Sequence, residues 1–218
     1  MQVELHKLFY TPVWRFHYPD WDDDKEEFIS FFSQDEIYIS DREKNGLQIT
    51  RANIHKDPKV KKMTDFIQSS SEFVMNEMGY KKECGITSMW STRQKENGHH
   101  HSHSHANSFL GCAFHLFDFD GNASGTVFSN FQIEKYVIQP AVSDEKELML
   151  KSTEVMSFIP GTMIMFPAWA THHTTPTECK YRIMVGANIM PIGMTNKDHF
   201  DRYNYPDPNY LTMKEYTK

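Results

Sequence analysis

Residues 98–116 read GHHHSHSHANSFLGCAFHL. Five of the chain's 12 histidines fall between His99 and His105. The polar run passes directly into a short apolar, aromatic-rich segment, Ser108–Phe117, which reads as a β-strand. A histidine tract alone suggests a loop that takes nickel or zinc. The spacing at its end is more specific. His103 and His105 stand at i and i+2, and in extended chain such residues point to one face. Two imidazoles at the edge of a strand can hold one metal ion.

A third ligand has to come from elsewhere in the chain. Residues 163–176 read MIMFPAWATHHTTP: an apolar strand ends at Phe166-Pro167 and a short loop leads to His172. His103, His105 and His172 are therefore the candidate metal ligands. Neutral imidazole suits iron, zinc and copper alike. His17, His55, His115 and His199 are read as ordinary surface or core histidines.

Ten residues beyond His172 lies Arg182, in YRIMVGANIM. Strand alternation puts Arg182, Met184, Gly186 and Asn188 on one face. An arginine directed into an apolar interior needs an anion, because an unpaired buried charge is costly. Its partner is either a protein carboxylate or the carboxylate of a bound dicarboxylic acid, held bidentately.

The surrounding chain gives these segments a setting. Strands are expected near Ile86–Thr92, Gly125–Phe131, Lys151–Phe158, Thr162–Phe166 and Tyr181–Ile189. Turns fall at Asp118–Asn122, Pro140–Glu147 and Pro160–Gly161. Many short strands separated by turn residues imply a sandwich or barrel. The first part differs. Leu8–Trp14 is extended, and the acidic run Asp20–Glu27 suits a helix start. Residues 58–78 form the clearest helix: Asp57 is placed to cap it, Pro58 fits its first turn, and Gly79 stops it. Val60, Met63, Phe66, Ile67, Phe73, Val74 and Met78 recur near a 3.6-residue period. At 218 residues the chain is of single-domain size. We divide it into residues 1–80, a β core over 81–192, and a polar extension over 193–218.

Composition removes several classes of function. Mean hydropathy is -0.61 and no run of about 20 apolar residues occurs, so no membrane span is expected. The N-terminus lacks a basic start followed by an apolar stretch, which argues against a secretory signal. Three scattered cysteines do not make a disulfide framework and fit a reducing cytoplasm. A net charge of -6 argues against nucleic acid as a partner. A homodimer stays open.

Two strand-edge ligands, a later histidine followed by Pro176, and an arginine on the next strand resemble the iron(II)/2-oxoglutarate-dependent oxygenases. More closely, the chain is similar to a bacterial and phage branch of that superfamily. The resemblance rests on LFYTPVW (8–14), MWSTRQ (89–94), HSHANSFLGCAFHL (103–116), FPAWATHHTTP (166–176) and YRIMVGAN (181–188), in that order. It implies an α+β, mainly β protein: a double-stranded β-helix, or jelly roll, with N-terminal helices packed on it. It implies iron(II) on His103, His105 and His172, with 2-oxoglutarate and O2 as cosubstrates. Arg182 falls where the distal carboxylate of 2-oxoglutarate binds, and Asn188 on the closing Asn of that strand, counted here with the cofactor-binding residues. The implied activity is hydroxylation of a prime substrate, with succinate and carbon dioxide as co-products, in a cytoplasm (a host's, if phage-encoded).

Two departures from the family pattern stand out. The usual carboxylate ligand is replaced by His105, unless Asp118 or Asp120 completes the site. An aromatic pair in the strand becomes Phe114-His115, so a tyrosine hydroxyl is missing. The competing readings are a three-histidine cupin-like enzyme that does not use 2-oxoglutarate and a non-catalytic His-rich metal-binding module.

Overall fold

A computed structural model describes residues 10–39, 43–80, 83–130 and 151–192. The polar extension over 193–218, His199 and the turn Pro140–Glu147 lie outside the described residues.

The helix expected over 58–78 begins as a 3-10 turn at Pro58–Val60 and continues as α2, Lys61–Glu77. The Asp57 side chain accepts a hydrogen bond from the Lys59 N–H, as a cap should. Gly79, at φ +80°, ends it: the Gly79 and Tyr80 N–H groups donate back to the Asn76 and Met75 carbonyls. Met63, Ile67, Val74 and Met75 are buried along one stripe, each stabilising by roughly 1.5–3 kcal/mol. Phe73 lies off the stripe and is half exposed. The acidic run opens α1, Trp21–Phe32, with Asp22, Asp23 and Asp24 in its first turn.

Among the described residues the strands form two antiparallel sheets. The larger has the order β1 (Trp14–His17), β8 (Thr162–Pro167), β5 (Leu110–Asp118), β10 (Tyr181–Pro191), β3 (Cys84–Lys95) and β2 (Leu47–Ile49). The smaller has the order β4 (His100–His103), β9 (His172–Thr174), β6 (Thr126–Ser129) and β7 (Thr153–Met156). The fold is mainly β with two α-helices, as expected. Sequence reading had given β1, β2, β4 and β9 no strand of their own. They are three or four residues long, too short for alternation to register.

Alternation along β5 sorts the layers. Leu110, Cys112, Phe114 and Leu116 face α1 and α2, in one core with Phe28, Met63 and Ile67. Tyr18, Phe66 and Trp21 pack edge-on or tilted around Phe114, joining the helices to the sheet. Gly161, at φ +78°, lies under Trp21, whose ring a Cβ would meet at 2.6 Å. Ala113 faces the other way, into a second core between the sheets with Phe128, Ile164 and Phe166. That inter-sheet space holds the candidate site.

Candidate metal centre

β4 and β9 pair so that His103 stands directly opposite His172, with ring centroids 4.4 Å apart. His105 arrives differently from expectation. β4 ends at His103, so His105 is not its strand neighbour. It lies in the following loop, fixed where its N–H donates to the Ala168 carbonyl at 2.9 Å. Its ring is 5.1 Å from that of His172. Gly111 makes room for it: a Cβ there would sit 3.0 Å from His105 Nδ1 and 2.9 Å from the Phe166 ring.

One ligand atom from each of His103, His105 and His172 lies within 4.8 Å of the others. Among the described residues this group contains no aspartate or glutamate, and neither Asp118 nor Asp120 joins it. The second contacts of the three rings agree. His103 Nδ1 bonds the His101 carbonyl at 2.8 Å, His172 Nδ1 the Ala170 carbonyl at 2.9 Å, and His105 Nδ1 the Asn188 Oδ1 at 2.5 Å. All three acceptors are oxygens, so each Nδ1 carries the proton and each Nε2 keeps a lone pair. Histidines that bind metals are oriented in this way. Burial keeps the rings uncharged: it lowers the pKa of His103 and His105 and pushes His172 down to about 3. The set fits a metal ion.

The rest of the histidine run divides. His100 packs on His103, with centroids 4.1 Å apart. Burial, with His103, His105, Arg182 and His101 around it, pushes it down to about 4. His99 and His101 stack edge-on away from the group, and His101 Nε2 meets Asn45 Nδ2. Sequence reading left His99, His100 and His101 together as a mobile loop at the mouth. The structure puts His100 and His101 in β4.

Arg182 lies deeper, 2% exposed. Its Nε and Nη2 donate to Gln94 Oε1 at 3.3 and 2.9 Å, and its Nη1 to the Ser124 carbonyl. Thr174 Oγ1 donates to the same Gln94 oxygen at 2.9 Å. The Phe158 ring lies 5.3 Å from the guanidinium. Among the described residues no carboxylate bonds Arg182. Burial lowers its pKa to about 10, so it stays cationic at neutral pH. A buried cation whose described partners are all neutral acceptors is a ready partner for an entering carboxylate. Two buried polar atoms in this space also lack partners among the described residues: His115 Nε2 and Thr126 Oγ1. Thr126 stands opposite Thr174.

Asn188 shares the inward face of β10 with Arg182, and its amide oxygen is engaged by His105. Gln94, His100, His115 and Thr126 drew no role from the sequence. The signal for Gln94 was available: it is four residues from Trp90 along β3, on the same inward face.

The family described as "Putative 2OG-Fe(II) oxygenase" matches residues 88–188, which include His103, His105, His172, Arg182 and Asn188. No curated protein matches the sequence. Solved structures do. A Pseudomonas putida prolyl-4-hydroxylase is 11% identical, with a TM-score of 0.57 over 83% of this chain and 93% of that one. The epimerase SnoN, solved with Fe3+, alpha ketoglutarate and nogalamycin RO, is 13% identical, with a TM-score of 0.56 over 81% and 78%. A 2OG-Fe(II) oxygenase family oxidoreductase from Burkholderia pseudomallei is 12% identical, with a TM-score of 0.47. This chain spans 65% of its length, just under two thirds. Among the described residues no helix is long and apolar enough to cross a membrane. The match to that family thus spans the strands that carry both ends of the site, and the jelly-roll fold is similar to that of the solved prolyl-4-hydroxylase and SnoN.

Proposed function

We propose that this protein is a non-haem iron(II)- and 2-oxoglutarate-dependent dioxygenase that hydroxylates a prime substrate and releases succinate and carbon dioxide. The observation that carries this reading is Arg182: a buried cation with no described carboxylate partner, in the same inter-sheet space as the three histidines.

His103, His105 and His172 would hold the iron through Nε2, leaving positions for cosubstrate and oxygen. Bound iron and O2 supply the oxidative decarboxylation of 2-oxoglutarate and the oxidation of a substrate C–H bond. The chain's residues bind and orient. Arg182 takes the distal carboxylate, with its guanidinium plane held by Gln94 and the Ser124 carbonyl. Asn188 sets the tautomer and tilt of His105. Ala113, Ile164, Phe166 and Met184 form an apolar wall that limits water. Three neutral imidazoles would bring no negative charge to a bound iron(II), so the chelating carboxylate of the cosubstrate would offset part of its charge.

Hydroxylation is preferred to epimerisation on the likeness to the prolyl-4-hydroxylase, although SnoN has the same fold. Cys84, Cys112 and Cys179 are all free and buried, which supports a reducing, cytoplasmic setting. We take residues 1–218 as one domain. The test is turnover: purified protein with iron(II), O2 and 2-oxoglutarate should release succinate, faster with a true substrate present. The absence of both succinate formation across a broad substrate screen and metal-dependent 2-oxoglutarate binding would refute the reading.

A further inference from the structure

His115 is 0% exposed, in the middle of a β-sheet, and one of its two nitrogens has no partner among the described residues. Burying an imidazole N–H without an acceptor costs free energy that a phenylalanine in the same space would not. The other nitrogen identifies the orphan. Nδ1 accepts the Ile159 N–H at 3.3 Å, so the proton sits on Nε2. The unpartnered group is therefore a donor.

Its surroundings say what it donates to. His115 alternates with Phe114 and Leu116, which face the helices, and so shares the inter-sheet face of Ala113. Its ring stacks on Phe158, with centroids 4.7 Å apart and planes 23° from parallel. The Arg182 guanidinium approaches the same Phe158 ring, at 5.3 Å. The two donors thus converge on one aromatic side chain. Burial, with the cations Arg182 and Arg15 acting on the ring, pushes the His115 pKa down to about 3. It is a neutral donor in a positively charged corner, beside a guanidinium with no described counter-anion. A carboxylate satisfies both at once.

Resting on the 2-oxoglutarate site proposed above, we infer that His115 Nε2–H and Arg182 together bind the distal carboxylate of 2-oxoglutarate. His115 thereby adds a neutral donor to the charge of Arg182 at that end of the cosubstrate.

The test uses manganese(II)-loaded protein and calorimetric titration with two ligands, 2-oxoglutarate and 2-oxobutanoate, which lacks the distal carboxylate. His115→Phe keeps the stack on Phe158 and removes the donor. It should weaken 2-oxoglutarate binding by roughly 10- to 100-fold. Binding of 2-oxobutanoate and of manganese should be unchanged, and His115→Gln should recover part of the loss. Equal losses for both ligands, or none for either, would overturn the role of His115. If the unsubstituted protein binds 2-oxoglutarate no better than 2-oxobutanoate, the Arg182 site itself fails and the inference falls with it. Should His115→Phe not fold, the natural protein loaded with zinc(II) still decides. The His115 Nε2–H proton resonance should move downfield when 2-oxoglutarate is added and stay in place with 2-oxobutanoate. No movement overturns the inference.

Discussion

His105 Nδ1 and Asn188 Oδ1 are 2.5 Å apart, a hydrogen bond between a loop ligand and the end of β10. Because His105 lies beyond the end of β4, this bond and its own N–H to Ala168 orient it. Asn188→Leu should lower iron(II) or manganese(II) affinity by about 10- to 100-fold, whereas Asn188→Asp should preserve it. Metal titration of the two variants distinguishes them. Equal affinity in Asn188→Leu would show that the bond does not matter to the ligand.

The histidine run should divide in function as it does in space. His99→Ala together with His101→Ala should leave stoichiometric metal binding intact. His172→Ala alone should abolish it. A metal-binding tract would show the opposite pattern, and equilibrium dialysis of both variants decides.

Arg182→Leu removes a buried cation that has no described carboxylate partner. It should not lower the melting temperature of the metal-free protein, since the charge costs solvation without an ion pair in return. It should weaken 2-oxoglutarate binding at least 100-fold while iron affinity stays within a few-fold. Comparable losses of both ligands would mean that Arg182 is structural.

Much of this site was legible in the sequence because its chemistry is carried by residue types with few other uses. His103 precedes the apolar run of β5, His172 follows that of β8, Arg182 lies at the start of β10, and the caps of α2 are local. His105 was selected by strand spacing, and the structure groups it with His103 and His172 for a different reason. The i, i+2 rule does not apply past the end of β4, and the loop contact with Ala168 does its work. The bond from Asn188 depends on pairing between distant segments, with a register shift at Asn188/Ile189 that no local pattern encodes. His115 looked like a core histidine and is one by burial. Its significance appears only when the partners of both nitrogens are known.

Acid should destabilise the metal-free protein early. His115 and His172 are each pushed down to about 3 when folded, against about 6.5 when unfolded. Above that unfolded value neither state carries the extra proton and stability is independent of these groups. As pH falls below it, the unfolded chain takes up protons that the fold refuses. Stability then drops by about 1.4 kcal/mol per pH unit for each residue, until the folded values are reached. Denaturant melts between pH 7 and 4 measure the slope, and His115→Phe should remove its share. A flat profile would contradict the buried, neutral state of both rings.

The central claim is one bound iron that presents open positions to a 2-oxo acid anchored at Arg182. Anaerobic titration of the iron(II)-loaded protein with 2-oxoglutarate tests it most directly, through the visible charge-transfer absorption of a 2-oxo acid chelated to iron(II). The account predicts a saturable band at one equivalent of iron. It should be lost in His172→Ala and shifted to much higher 2-oxoglutarate concentration in Arg182→Leu. Tight iron binding with no band at any 2-oxoglutarate concentration would contradict it.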